Sequence, residues 1–124
     1  MLSAEVTDHY RHPRSVGTFP DSMAGTVRGT GGSIQLGRLV ELALRVGAGT
    51  ILEARFKAFG CPSTIACGSA LADRLGGIPF REAARITALE LAERLALEPA
   101  KLDCALAAED ALKAALAALG DDLQ

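Results

Sequence analysis

The fold of this chain is decided by Arg55-Phe-Lys-Ala-Phe-Gly-Cys61-Pro-Ser-Thr-Ile-Ala-Cys67-Gly-Ser-Ala-Leu-Ala-Asp-Arg-Leu75-Gly-Gly77. Its first part continues an alternation of apolar and charged side chains, which predicts a strand with the even-numbered residues 52–58 on its apolar face. Gly60 and Pro62 end the strand, because glycine permits a sharp turn and proline cannot continue a hydrogen-bonded ladder. The sequence therefore predicts a strand, a tight turn and a helix.

Cys61 lies in this turn, just ahead of a helix that we expect Ser63 or Thr64 to cap. The free amides and the dipole at a helix N-terminus favour an anion, so a thiol held there ionises more readily than a free thiol. A thiolate is the form that binds metals and attacks sulfur. A small buried apolar side chain is an equally good interpretation of Cys61 taken alone.

Composition restricts the class of protein. The 124 residues predict a single domain over residues 1–124, with 49% hydrophobic and 23% charged residues. A net charge of −2 and scattered basic residues argue against nucleic-acid binding. No uncharged apolar run approaches the length of a membrane span, and charged residues interrupt the first 14 positions where a signal peptide would be apolar. With three cysteines, an odd number, we expect a cytoplasmic protein with free or metal-binding thiols.

The N-terminal half predicts a short helix and a hairpin. Ser3 to Tyr10 is expected to be helical with Ser3 as its cap, and a loop follows from Arg14 to Thr26. Val27 to Gly37 is rich in glycine and predicts a bend between strands. Arg38 to Val46 alternates as a strand does, and Gly47-Ala-Gly49 turns it back into the strand before Cys61. His9 and His12 are expected to be solvated or capping residues, since no second metal ligand has a suitable spacing.

The C-terminal half is predicted to be helical. Cys67 shares one apolar stripe with Leu71 and Leu75, which favours a side chain facing the core. Further helices are predicted over residues 80–86, from a capping box at Thr87 to about residue 97, and from about residue 99 to residue 119. The last helix is expected to bury Leu112, Leu116 and Leu119, with Glu109 and Lys113 paired on its solvent side.

Cys104 lies near the start of this last helix, directly after Asp103. It is expected to share the electrostatic advantage of Cys61. Taken alone, Asp103 is also a typical helix cap and Cys104 a typical packed residue. Two such thiols, one beside a carboxylate, are more typical of a functional site than either is singly.

Three blocks of sequence resemble the U-type iron–sulfur cluster assembly scaffold family, of the IscU and NifU N-terminal type. The resemblance runs nearly end to end. The opening block is Asp8-His-Tyr-Arg-His-Pro-Arg-Ser-Val-Gly-Thr-Phe19, the second is Glu53-Ala-Arg-Phe-Lys-Ala-Phe-Gly-Cys61 with Ser63-Thr-Ile-Ala66, and the third is Asp103-Cys104-Ala-Leu-Ala-Ala-Glu109-Asp110-Ala-Leu-Lys-Ala-Ala115.

The resemblance implies an α+β fold, a three-stranded antiparallel β-sheet packed against several α-helices. It implies a scaffold that receives sulfur from a cysteine desulfurase, assembles a two-iron two-sulfur cluster, and passes it to recipient iron–sulfur apoproteins. Cys61 would then be a metal ligand, and Cys104 a ligand and the acceptor of persulfide sulfur. The resemblance therefore implies a carrier of sulfur and iron rather than an enzyme.

The chain departs from the family at its site. The first ligand cysteine, within a cysteine-glycine-aspartate triplet, is replaced by Leu36-Gly-Arg38, and the histidine before the third cysteine is replaced by Asp103. Leu97-Glu-Pro-Ala-Lys101 keeps only part of the family's chaperone-docking segment, which weakens the case for chaperone docking. A four-ligand site therefore does not carry over unchanged.

Two side chains bear on the missing ligand. Arg38 would line the site as a fixed cation, which repels iron or zinc but favours an anionic, thiolate-rich cluster. Cys67 is a candidate replacement ligand, although its stripe favours burial.

Two functions from different classes remain open. In the first, the chain is a variant scaffold that binds a cluster, iron or zinc through Cys61, Cys104, Asp103 and Cys67, with a second subunit as a further source of ligands. In the second, the chain is a cluster-free paralogue that docks on a cysteine desulfurase as a persulfide acceptor or regulator.

Overall fold

The structure, a computed structural model, describes residues 2–120 of the chain. Met1 and residues 121–124, which belong to the predicted domain 1–124, lie outside the described residues. The α+β prediction is confirmed: three strands and five α-helices follow one another as α1 (Ala4–Arg11), β1 (Thr26–Ser33), β2 (Arg38–Gly47), β3 (Thr50–Phe59), α2 (Pro62–Leu75), α3 (Phe80–Ala83), α4 (Ala88–Arg94) and α5 (Leu102–Ala117). A single 3-10 turn, Pro99–Lys101, leads into α5.

The sheet is antiparallel, with its strands in the order β1-β2-β3. The predicted hairpin is confirmed, since β2 and β3 pair directly across residues 47–50. One part of the β3 prediction is wrong. The pairing shifts between Arg45 and Val46, so that Arg45 faces Glu53 while Val46 faces Ile51. Leu52 is therefore the extra residue of a β-bulge and is 46% exposed, while Ile51 takes the buried position.

The glycine-rich segment is a strand rather than the bend that its composition predicted. β1 uses these glycines because α5 lies directly on its face. A Cβ atom on Gly31 would overlap the carbonyl oxygen of Ala107, and one on Gly29 would overlap the backbone at Ala111. Glycine in a strand often marks such a close approach of another backbone.

The core lies between the sheet and the helices. α5 packs on β1 and β2, while α2 packs on β3 and carries α1 on its other side. Cys67, Leu71 and Leu75 are fully buried on one stripe of α2, as predicted. The three leucines of the last helix are buried as well: Leu112, Leu116 and Leu119.

Several helix ends differ from the sequence prediction. The cap of α1 is confirmed, because the Ser3 hydroxyl accepts the N–H of Val6 at 3.0 Å. The Thr87 hydroxyl likewise accepts the N–H of Glu90 at 3.2 Å. However, α3 ends at Ala83 and α4 at Arg94, each earlier than its apolar pattern predicted.

Glu109 pairs with Lys113 at 2.9 Å, as predicted, but not on the solvent side. Its side chain is only 13% exposed, and its other oxygen accepts the N–H of Ala88 at 2.7 Å. Glu109 therefore connects α5 to the first turn of α4.

The segment that follows α1 is held against β3 and α2. The N–H of Gly17 donates to the carbonyl oxygen of Phe56, and Phe56 donates in turn to Ser15. The buried Ser69 hydroxyl lies 2.8 Å from Nδ1 of His9 and accepts the N–H of Arg14 at the same distance. No helix within residues 2–120 combines the length and apolar character of a membrane span.

We predict that Gly31→Ala destabilises the protein by about 2 kcal/mol or more, because the added methyl group collides with the α5 backbone, which cannot rotate away as a side chain would. Urea unfolding followed by circular dichroism measures the loss. Gly76→Ala is the matched control, since no atom lies within 4 Å of its Cβ position and its φ of −63° suits alanine. Equal stabilities of the two variants would contradict the close approach.

We also predict a pH dependence from His9. Burial lowers the pKa of His9, and the nearby charge of Arg14 lowers it further, against smaller opposing effects of Asp73 and Asp8. The unfolded chain takes up this proton at a higher pH than the folded chain does. The contribution of His9 is therefore present above about pH 6.5 and is lost as the pH falls toward the folded pKa.

Urea midpoints at pH 7.5 and 5.5 test this dependence. His9→Gln should flatten it, because the variant removes the group that titrates. An unaltered slope in His9→Gln would exclude His9 as its source.

Candidate metal and sulfur site

The junction between β3 and α2 positions Cys61. Gly60 has a φ of +145°, which other residues rarely adopt, and a Cβ atom there would lie 2.8 Å from the Thr64 hydroxyl. Cys61 itself is the N-cap of α2 and Pro62 is its first residue. The prediction that Ser63 or Thr64 caps this helix is wrong, because proline at the first position shifts the start of the helix back to Cys61.

Cys104 faces Cys61 from the first turns of α5. Their Sγ atoms are 3.8 Å apart and both thiols are free. Thr64 lies between them: its hydroxyl donates to Sγ of Cys104 at 3.2 Å and lies 3.6 Å from Sγ of Cys61. The hydroxyl is available for this role because it does not cap the helix.

Two cations and one carboxylate complete the surroundings. Nζ of Lys101 donates to Sγ of Cys61 at 3.9 Å. Arg38 pairs with Asp103 at 3.7 Å, so Asp103 binds a cation instead of capping α5, whose N-cap is Lys101. All of these residues line one pocket of about 180 Å³.

The two thiols differ in acidity. Burial opposes ionisation of Cys61, but hydrogen bonds from the Thr64 side chain and backbone, the Cys104 thiol and the Ser63 backbone outweigh it and lower its pKa to about 7. The opposite holds for Cys104, which is 4% exposed. Burial raises the pKa of Cys104, and the neighbouring charge of Cys61 raises it further despite the hydrogen bond from Thr64. The expectation that both thiols ionise easily is therefore correct for Cys61 and wrong for Cys104.

Cys67 does not line this pocket. Its side chain is fully buried in the core, and burial raises the pKa of its thiol to about 12. The structure thus brings Cys61, Cys104, Asp103 and Arg38 together in one pocket, whereas Cys67 lies in the core and outside its lining. Within residues 2–120, no group of three or more His, Cys, Asp or Glu side chains is arranged to hold a metal ion.

Leu36 occupies the position where the family resemblance implies a ligand cysteine. It lies in the turn between β1 and β2 at the edge of the pocket, and it is 62% exposed. Four other cavities in the described part of the chain are larger, of about 230 to 460 Å³, and none of them is lined by a cysteine.

Thr64 and Lys101 are the site residues that the sequence analysis did not find. Thr64 was assigned to a helix cap, and Lys101 was considered only as part of the chaperone-docking segment. No local signal identifies Lys101, because the thiol that it contacts, Cys61, lies 40 residues away in the sequence.

The antiparallel sheet places Cys61 at the N-terminus of α2, opposite Cys104 on α5, and this fold is the one that the resemblance to U-type scaffold proteins implies. Residues 1–121 match the family described as NifU-like N terminal domain. The chain belongs to this family.

Curated relatives and solved structures agree with this assignment. The chain is 40% identical to the iron-sulfur cluster assembly scaffold protein IscU of Escherichia coli K12, over 93% of this chain and 91% of that protein. It is also 40% identical to iron sulfur cluster assembly protein 2, mitochondrial, of Saccharomyces cerevisiae, over 94% of this chain and 76% of the relative. The crystal structure of the N-terminal part of a NifU-like protein from Brucella abortus shares the fold, with a TM-score of 0.74 at 16% identity over 98% of this chain and 92% of that one.

We predict that Cys61 is the fast-reacting thiol of the native protein. With a pKa of about 7, it should be alkylated by iodoacetamide several-fold faster at pH 7 than an ordinary cysteine, because the thiolate is the reactive form. Cys67 should stay unmodified until the protein unfolds. Peptide mass spectrometry over a pH series gives the rate for each residue.

Thr64→Val should move the reaction of Cys61 to higher pH, since the variant removes the hydroxyl that stabilises the thiolate. A native-like profile in this variant would show that Thr64 does not set the acidity of Cys61.

Proposed function

We propose that this chain is an iron–sulfur cluster assembly scaffold that accepts sulfur from a cysteine desulfurase and holds iron or a cluster through Cys61 and Cys104. The observation that carries the proposal is the 3.8 Å separation of their Sγ atoms. Two thiolates bound to one tetrahedral ion at about 2.3 Å lie about 3.8 Å apart. The relatives named as cluster assembly proteins support the same function.

Two thiols make only half of a ligand set, because a two-iron two-sulfur cluster in its common form takes four cysteine ligands. Asp103 is the carboxylate that lines the pocket, and iron would compete for it with Arg38. Cys67 could bind iron only after a larger rearrangement, since its side chain is fully buried in the core and does not line the pocket. We therefore propose Cys61 and Cys104 as the permanent ligands, with Asp103, Cys67 or a second subunit completing the set.

Sulfur acceptance needs a thiol that attacks the outer sulfur of the desulfurase persulfide. The new sulfur–sulfur bond forms on the scaffold cysteine, and the desulfurase cysteine leaves as a thiolate. We propose Cys104 as the residue that holds this sulfur, as the family resemblance implies. The contact of the Thr64 hydroxyl with Sγ of Cys104 and the pocket beside this sulfur support the role, because the added sulfur would bond to that atom.

The partners follow from this function: a cysteine desulfurase supplies sulfur, and recipient apoproteins receive the cluster. Chaperone docking stays weakly supported, because only part of the docking segment at residues 97–101 is kept. Cytoplasmic localisation also stays a prediction, since the relatives include both bacterial and mitochondrial proteins.

A cluster-free partner of the desulfurase is the second candidate function. The ion pair between Arg38 and Asp103 favours it, because this pair occupies the donor that an iron ion would use. The exposed Leu36 favours it as well, since leucine offers no electron pair to a metal.

We predict that anaerobic reconstitution with a cysteine desulfurase, cysteine and ferrous iron gives near-stoichiometric iron and acid-labile sulfide on the native chain. Cys61→Ser and Cys104→Ser should each lose both, because each removes one of the two permanent ligands. Cys67→Ala is the matched control, and retention of iron by this variant would exclude Cys67 as a ligand. Iron and sulfide are quantified per chain after desalting.

A native chain that binds the desulfurase but retains neither iron nor sulfide would exclude the scaffold function. Detection of a persulfide on such a chain would instead support the second candidate. The persulfide is located by alkylation and peptide mass spectrometry.

A further inference from the structure

The thiol pocket is unusual for a metal site because cations line it. Lys101 donates to the sulfur of Cys61 at 3.9 Å, and Arg38 faces the same pocket from the start of β2. The one carboxylate in the lining, Asp103, is already paired with Arg38. The described lining therefore holds two thiols, two cations and one neutralised acid.

We propose that this pocket selects sulfur-rich anions, a persulfide or a thiolate-bound cluster, over free divalent metal ions, and that Lys101 and Arg38 set this selectivity. The inference rests on the proposed function and names the form of cargo that the site accepts. It assigns to Lys101 and Arg38 a specificity role in the sulfur site itself.

Geometry alone would not give this selectivity. The Sγ atoms of Cys61 and Cys104 are spaced as two ligands of one tetrahedral zinc ion would be. A free divalent ion entering the pocket meets Lys101 and Arg38, however, and repulsion between like charges is strong where water is partly excluded. The two cations therefore oppose an ion that the two sulfur atoms would otherwise bind.

The ion pair between Arg38 and Asp103 adds a second obstacle to a free cation. A zinc ion usually takes four protein donors at a closed site, or three with one open position. The third donor within the pocket is Asp103, and a metal ion must compete for its carboxylate with Arg38, which lies 3.7 Å from one of its oxygens. Arg38 thus opposes the binding of a free divalent ion in two ways, through its own positive charge and through its ion pair with the Asp103 carboxylate.

The same cations favour the proposed cargo. A persulfide carries its negative charge on the outer sulfur, and a two-iron two-sulfur core bound by Cys61, Cys104 and at least one further anionic ligand, such as Asp103, is an anion overall. Lys101 already lies beside a sulfur atom, and Arg38 can bind an anion when Asp103 moves to iron. Negative charge added to the pocket therefore lowers the electrostatic cost of holding two cations together.

A zinc titration tests the selectivity. The reduced full chain is titrated anaerobically with zinc chloride in competition with a chromophoric chelator. The Lys101→Gln and Arg38→Ala double variant should bind zinc at least tenfold more tightly than the native chain, and each single variant should show part of this gain. Adding Cys61→Ser to the double variant should abolish the gain, which locates the zinc at the pocket.

Arg45→Ala is the matched control. Arg45 forms an ion pair of similar length with Glu53, 3.5 Å, but it lies on the sheet and does not line the pocket. This variant removes one positive charge from the chain and should leave zinc affinity at the native value. Circular dichroism and urea midpoints verify that all variants are folded.

Equal zinc affinity of the native chain and the double variant, within twofold, would overturn the inference. So would an equal gain in Arg45→Ala, since net charge rather than the pocket would then explain the effect.

Reconstitution distinguishes this inference from the proposed function. A native chain that holds iron and sulfide, together with a double variant that gains zinc and loses them, supports both and identifies a cluster as the anion. A double variant that gains zinc, with a native chain that carries persulfide but no iron, supports the selectivity and overturns the cluster-scaffold function. A native chain that holds a cluster, with unchanged zinc affinity in the double variant, overturns the selectivity alone.

Discussion

The close approach of α5 to β1 is the constraint on which the site depends. The glycines of β1 allow the α5 backbone to lie against the strand, and the alanines of α5 keep the separation small from the helix side. Cys104 is part of this helix, while Cys61 is fixed by the end of β3 in the same sheet. The 3.8 Å between the two sulfur atoms is therefore a consequence of core packing, and no flexible loop has to close to create it.

The two thiols are unequal although one hydroxyl contacts both. Thr64 lies within 3.6 Å of both sulfur atoms, and hydrogen bonds from Thr64, Cys104 and the Ser63 backbone outweigh the effect of burial at Cys61, whereas burial and the charge of Cys61 prevail at Cys104. The structure thus holds a readily ionised thiol next to one that resists ionisation. Lys101 stands beside the first of them. In the proposed function this arrangement gives the site one thiolate, Cys61, before any cargo arrives, whereas Cys104 must lose its proton before it binds a metal or attacks the outer sulfur of a persulfide.

The sequence predicted the elements that carry strong local signals and missed those that depend on distant contacts. Alternation identified β2 and most of β3, and the apolar stripe of α2 identified the burial of Cys67. The β1 strand was missed because its glycines are required by the close approach of α5, a helix about 75 residues away in the sequence. By local rules the same glycines indicate a bend.

The same distinction applies to the site. The importance of Cys61 and Cys104 could be predicted from helix positions and from the family resemblance. The role of Lys101 could not, because a lysine at a helix start is a common solvated residue until the fold places a thiol 3.9 Å away. The bulge at Leu52 could not be predicted from the sequence either, since a one-residue shift in strand pairing does not change the alternation of apolar and charged residues.

Leu36 stands where the family resemblance implies the first ligand cysteine, so the pocket lacks a sulfur donor at this position. The turn between β1 and β2 holds Leu36 at the edge of the pocket, whereas the core fixes the elements that carry Cys61 and Cys104. In the proposed function Cys61 and Cys104 hold iron from fixed positions, and the exposed turn contributes no donor. A cargo held by this chain then depends for its remaining bonds on groups that exchange: a carboxylate shared with Arg38, or donors from another chain. In the proposed function, the two thiols fixed by the core hold the metal on one side of the site. The donors on the other side exchange, and a recipient protein can bring its own ligands to the metal there.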